Sequence, residues 1–170
     1  MKQNLVNHFE CFSAVHAPAG AVFEYADEPA HLSSHMGKSS WMMGGGTMLM
    51  KVDAGEGKSV GSVISLAGRA FGIELFVEES VAEHSPPHRK TWETFGEPKL
   101  LVIGPYRMGF DVSASGKESS IRVFIDYALP KRGFSRFVGW LFGRPYAKWC
   151  TRRMMNDTVK HFSVTQVNEG

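Results

Sequence analysis

The apolar positions of this chain keep two different rhythms. From Leu5 to Val15 they alternate: Leu5, Asn7, Phe9, Cys11, Ser13 and Val15 share one face, and Val6, His8, Glu10, Phe12, Ala14 and His16 the other. A period of two is the mark of a strand. Ala17 to Asp27 changes to a helical stripe of Val22, Phe23 and Ala26. Pro18 suits a first turn, where its missing N–H is not needed. Asp27-Glu28-Pro29 ends this helix and opens a second, predicted from Pro29 to about Met36 with acidic residues at its positive end.

Gly37 to Gly46 reads as a connector containing Trp41-Met42-Met43 and closed by three glycines. Alternation then returns for six predicted strands: Thr47 to Val52, Val60 to Ala70, Ile73 to Glu83, Lys90 to Phe95, Leu100 to Ser113 and Ser120 to Leu129. Turns are predicted at Asp53–Lys58, Gly96-Glu97-Pro98 and Ser115–Glu118, and Ser85-Pro86-Pro87 stops the strand before it. Helical spacing takes over last, from about Phe134 to Phe162. Phe134, Phe137, Val138, Leu141 and Phe142 lead into Tyr146, Trp149, Cys150, Met154, Val159 and Phe162, with a kink or brief break expected at Gly143-Arg144-Pro145.

Antiparallel strands with one apolar face need a cover, and the long final helix is the available one. A curved sheet and such a helix enclose a cavity, so the pattern describes a container more clearly than a catalyst. The 170 residues suit one domain, 1–170. Lys and Arg number 19 against 17 Asp and Glu, and the formal charge of +2 comes without a long basic block, so nucleic acid is not expected as a partner. Cys11 and Cys150 form neither a disulfide framework nor a CxxC pair, and reduced thiols in a cytoplasmic protein are the expectation. The first eight residues lack the apolar core of a signal peptide, and no run approaches the length that spans a bilayer. Stable membrane insertion is therefore not expected. The stretch Phe137 to Trp149, flanked by Arg136 and Arg152-Arg153, leaves room for transient membrane contact.

Four features carry a family resemblance. The segment Ala17-Pro18-Ala19-Gly20-Ala21-Val22-Phe23-Glu24-Tyr25 resembles the opening helix of START-like proteins, in particular the polyketide cyclase/dehydrase-type branch of the SRPBCC, Bet v 1-like superfamily. Val81-Ala82-Glu83-His84-Ser85-Pro86-Pro87-His88-Arg89 resembles its V-x-E-x-x-P-P-x-R strand ending. Gly61-Ser62 before a strand and the aromatic C-terminal helix also fit. The resemblance implies an α+β helix-grip fold: a curved seven-stranded antiparallel sheet around a long C-terminal helix, with two short helices after the first strand. Relatives of this kind bind or process lipids, sterols, polyketides, quinones or plant hormones. The superfamily shares no catalytic set, so none is implied here.

Among candidate residues Glu79 is the oddest, since it falls in phase with Ile73, Leu75, Val77 and Val81 on the apolar face of its strand. On a pocket wall its pKa would rise and it could serve as acid, base or ligand anchor; a bulge turning it outward is the alternative. Trp41, Trp92, Tyr106, Tyr127, Trp140 and Trp149 join an apolar body to a polar tip that a ligand can satisfy, with core packing as the plainer use for more than half of them. Tyr106 and Tyr127 sit in the apolar phase of late strands, and Met108 and Phe110 share the surface of Tyr106. Glu28, His31 and His35 fall on one helical face, a spacing common by chance; a solvated face is the stronger reading, and neither metal nor cofactor is expected. Cys150 reads as a core thiol despite the nearby Lys148, Arg152 and Arg153. The ligand-binding set is thus Trp41, Glu79, Trp92, Tyr106, Met108, Phe110, Tyr127 and Trp149. The expected function is binding of a hydrophobic or aromatic small molecule of the lipid, polyketide or quinone class. The rivals are a cyclase or dehydratase using the same cavity and an interaction module whose cavity has collapsed. Composition and pattern do not set the oligomeric state.

Overall fold

The computed structural model describes residues 4–32, 47–131 and 133–167. Its elements follow the predicted order: β1 (Asn7–Val15), α1 (Ala19–Asp27), α2 (Pro29–Leu32), β2 (Thr47–Val52), β3 (Val63–Ala70), β4 (Ile73–Ser85), β5 (Arg89–Lys99), β6 (Tyr106–Ser115), β7 (Glu118–Tyr127) and α3 (Gly133–Val167). The strands form one antiparallel sheet in the order β1-β7-β6-β5-β4-β3-β2. β1 and β2 therefore occupy opposite edges, and α1 and α2 belong to the connection between them. Alternation delivers the inner face. Leu75, Val77 and Val81 of β4, Met108, Phe110 and Val112 of β6, and Ile121, Val123 and Ile125 of β7 are all buried. α3 covers this face with Ala147, Cys150, Thr151, Met154 and Thr158. The two threonines are admissible there because each hydroxyl donates to the carbonyl four residues back, Thr151 to Ala147 at 2.8 Å and Thr158 to Met154 at 3.1 Å.

The Val81–Arg89 motif has a physical explanation. It makes the β4–β5 hairpin, with the His88 N–H donating to Ser85 O at 2.8 Å. Across the hairpin Arg89 Nε donates to Glu83 Oε2 at 2.8 Å. Arg89 also reaches Asp111 of β6 at 2.6 Å, and Asp111 is bridged by Arg122 of β7 to Glu10 of β1, so the outer face of five neighbouring strands is tied by charge.

Five expectations are corrected. Gly96-Glu97-Pro98 is not a turn. β5 runs on to Lys99, with Phe76 opposite Lys99 and Glu78 opposite Phe95, so the three residues form an irregularity within the strand, where proline's missing N–H is tolerated. β6 begins at Tyr106 rather than Leu100; Pro105 precedes it, and the loop is held by Gly104 N–H to Ala128 O and Ala128 N–H to Pro105 O, both 2.8 Å. β3 begins at Val63 rather than Val60, because the carboxylate of Asp53 gathers the Ser62 hydroxyl and the Val63 N–H into a loop. Of the kink or brief break expected at Gly143-Arg144-Pro145 the break is absent, since α3 runs on as one helix through Pro145. The front of α3 is not a covering stripe either: Phe134, Phe137, Trp140, Leu141 and Phe142 are exposed, while Gly139, Gly143 and Ala147 turn inward. The second helix ends its described course at Leu32, and the remainder of the predicted segment lies outside the described residues.

Candidate functional site

The inner-face rhythm brings polar side chains of three adjacent strands together. Glu79 of β4 lies opposite Thr94 of β5, and Trp92 lies two residues away on the same face of β5, opposite Met108 of β6. The Thr94 hydroxyl oxygen accepts the Tyr106 N–H at 3.3 Å, which seats the first residue of β6 beside them. Glu79 is 5% exposed. Its carboxyl group accepts hydrogen bonds from the Tyr106 hydroxyl and the Trp92 indole N–H. Around this centre the walls are apolar: Met48, Met50, Leu66, Val77 and Met108 from the sheet, and Tyr146, Cys150 and Met154 from α3.

The walls govern the chemistry. Burial raises the Glu79 pKa to about 7, against the pull of its two donors. Burial and the neighbouring Glu79 carboxyl raise Tyr106 well above the usual phenol range. Cys150 is pushed up to about 12, chiefly by burial, so it is a neutral thiol and not a nucleophile. Glu79 is consequently the group able to exchange a proton near neutral pH, and Tyr106 is a fixed donor.

A second polar cluster borders the chamber. Lys90, 1% exposed, lines it and directs its ammonium to the end of α1, donating to Asp27 O at 2.7 Å and Asp27 Oδ1 at 2.6 Å. His84, the cross-strand neighbour of Lys90, reaches both carboxylate oxygens of Asp27 at 3.0 Å. Burial lowers the Lys90 pKa and Asp27 opposes that shift. The cation also meets the negative end of a helix dipole, so the cluster anchors α1 to the sheet.

The free space beside Glu79 is about 60 Å³. That is a few waters' worth, well below the several hundred Å³ typical of small-molecule sites. A second space of about 50 Å³ adjoins it behind Leu100, Leu101 and Ile103, and an open groove of about 400 Å³ lies between Phe71, Ile73 and the front of α3. Tyr146 lines all three.

Of the residues singled out by sequence, Glu79, Trp92, Tyr106 and Met108 line the chamber. Phe110 is wholly buried behind it, against Phe23 and Trp92 at ring separations of 5.4 and 6.4 Å. Tyr127 is buried outside the chamber, near Gly143. Trp149 is half-buried and packs on Tyr146 at 5.8 Å. Trp41 and His35 lie outside the described residues. His31 donates to the Tyr25 carbonyl at 3.0 Å and stacks on the Tyr25 ring, and Glu28 pairs with Lys58 at 2.7 Å, so these two side chains are engaged elsewhere. Sequence reasoning missed Lys90 as a chamber residue, although its phase with Trp92 was a usable signal, and it read Tyr146 only as part of an apolar helix face.

No protein-family model matches the chain, and no curated protein matches it either. Solved structures do. The ZhuI aromatase/cyclase from Streptomyces sp. R1128 superposes with a TM-score of 0.68 at 10% identity, covering 92% of this chain and 93% of that one. Norcoclaurine synthase from Thalictrum flavum, as a point mutant with a transition-state analogue, gives 0.61 at 17% identity, covering 94% and 96%. The ginseng major latex-like protein 151 from Panax ginseng gives 0.55 at 15%, covering 94% and 99%. Superposition over nearly the full length of each of these structures shows that the chain, with its seven-stranded antiparallel sheet and long C-terminal helix, has the helix-grip, Bet v 1-like fold.

Proposed function

We propose that the chain binds a small hydrophobic or aromatic molecule between the sheet and α3, with the polar end of that molecule at Glu79, Tyr106 and Trp92. The observation that carries this reading is a carboxyl group with two aromatic donors at the centre of an otherwise apolar chamber. A core built only for stability gains nothing from such a group, because enclosing it costs free energy that apolar residues of the same volume would not. This weighs against the collapsed interaction module, even though the free volume is small. Met48, Met50, Met108 and Met154 supply the adaptability, since unbranched thioether chains change rotamer readily and make room for a guest.

A second reading has its own support. A carboxyl group with a pKa of about 7 is matched to proton transfer at neutral pH, which favours a cyclase or dehydratase-type reaction with Glu79 as the acid or base. Displacement of a fluorescent apolar probe by a phenolic naphthalene, and by the same ring without its hydroxyl, tests the binding reading. Glu79→Gln and Tyr106→Phe should weaken the phenolic ligand by about tenfold and leave the hydroxyl-free ring nearly unchanged. Equal effects on both ligands would remove Glu79 from recognition. Loss of turnover with intact binding in Glu79→Gln would select the enzyme.

A further inference from the structure

The first turns of α3 are built inside out. The residues that face the protein are small: a methyl group added at Gly139 would lie 2.6 Å from Pro130 and 2.8 Å from the Val102 carbonyl, and one at Gly143 would lie 3.1 Å from Leu129. The residues that face away are large and apolar: Phe134 is 73% exposed, Phe137 60% and Trp140 72%, with the Phe137 and Trp140 rings 6.5 Å apart. Burial in the core would normally place these sizes the other way round.

The neighbouring hairpin adds to the same face. β3 and β4 are joined by the two-residue turn Phe71-Gly72, whose φ angles of +52° and +76° are those that favour Asn or Gly at the first position. An aromatic residue there is strained and gains no burial, for Phe71 is 75% exposed. Phe71, Ile73, Phe134 and Phe142 together bound the 400 Å³ groove that reaches Tyr146.

Charge identifies the occupant. Between Asp126 and Asp157 the chain carries no acidic residue and seven basic ones: Lys131, Arg132, Arg136, Arg144, Lys148, Arg152 and Arg153. Arg136, Arg144 and Lys148 are exposed on the helix that carries the aromatics. Glu74, at the hairpin, is already paired with Arg69 at 3.0 Å. A two-fold dimer through this face would set the cations of one α3 against those of the other, whereas an anionic lipid surface accepts both the rings and the charges.

We infer that this face docks on anionic phospholipid bilayers, with Phe71, Phe134, Phe137 and Trp140 in the interfacial layer and the basic side chains at the phosphates. The groove then opens towards the bilayer, and Tyr146 stands between it and the Glu79 chamber. Only this second statement rests on the ligand-binding reading; docking does not need it.

Co-sedimentation with vesicles of phosphatidylcholine alone, and of phosphatidylcholine with about a quarter phosphatidylglycerol, tests the inference. The full chain should pellet with the anionic vesicles, weaken as salt is raised from about 0.1 to about 0.5 M, and bind pure phosphatidylcholine poorly. Phe137→Ser with Trp140→Ser should lower affinity by at least about tenfold, with an unchanged melting temperature because both side chains are exposed. Glu79→Gln should bind vesicles like the unmodified chain, so failure of docking and failure of the chamber as a ligand site are separately visible. No binding to anionic vesicles, or equal binding by the double-serine variant, overturns the inference. So does a lipid-free dimer, by sedimentation velocity, that the double-serine variant dissolves, which would assign the face to a second copy.

Discussion

A carboxyl group set among Leu66, Val77 and Met108 must lose its charge or find donors, and Glu79 does some of each. With a pKa of about 7 folded, against 4.5 as the ordinary value, it holds its proton through that interval only in the folded state. The unfolded chain binds fewer protons there, so the stability associated with neutral Glu79 is full below about pH 4.5 and is lost as pH rises to about 7. The loss is about 3–4 kcal/mol on a scale of about 1.4 kcal/mol per pH unit. Glu79→Gln should lack this component. Urea unfolding of both chains at about pH 5 and about pH 8 should give a smaller decline for the variant, and parallel declines would mean that Glu79 is charged and solvated in the folded chain. Glu79 was legible in the sequence because a strand's period of two fixes which face a residue takes. Lys90 was missed although its phase with Trp92 pointed inward, because Arg89-Lys90 at a hairpin reads as two solvated charges. Only the end of α1, which brings Asp27 to it, explains a buried ammonium.

Among the elements, α1 is held to the sheet by that ammonium. Asp27→Ala would leave Lys90 enclosed without its carboxylate, and a loss of about 3–5 kcal/mol is expected from urea midpoints. A loss under about 1 kcal/mol would mean that Lys90 swings to water. Glycine positions give a sharper contrast. Gly20 in α1 has nothing within 4 Å of an added methyl, so Gly20→Ala should stabilise by up to about 1 kcal/mol through helix propensity alone. Gly139→Ala gains the same propensity but drives a methyl into Pro130 and the Val102 carbonyl, a clash of about 1–3 kcal/mol, and should come out neutral to destabilising. Thermal melts of the two variants should move apart. Helical spacing announced α3 but not which side of its front would be buried. That was decided by small residues meeting Pro130 and Val102, a tertiary fact that periodicity does not contain. The irregular stretch of β5 at Gly96-Glu97-Pro98 escaped for a similar reason: glycine and proline signal a turn, and only pairing with β4 kept the strand going.

For the molecule as a whole, the succession of rhythms was enough to expect one-faced strands covered by one long helix, because few other ways remain to bury the apolar face, and the family resemblance supplied the helix-grip architecture. The contents of the enclosure were less legible. Side-chain volumes set whether space remains, and here four methionines reduce it to about 60 Å³ beside Glu79. The central claim is that these walls part for an apolar guest whose polar end meets Glu79. Native mass spectrometry of the freshly purified chain, followed by denaturing extraction of any passenger, tests it most directly. One small molecule per chain with an apolar skeleton and a hydrogen-bonding end is expected, or its uptake from a set of fatty acid, sterol and hydroxylated aromatic probes. A chain that is empty as purified and takes up none of these would contradict it.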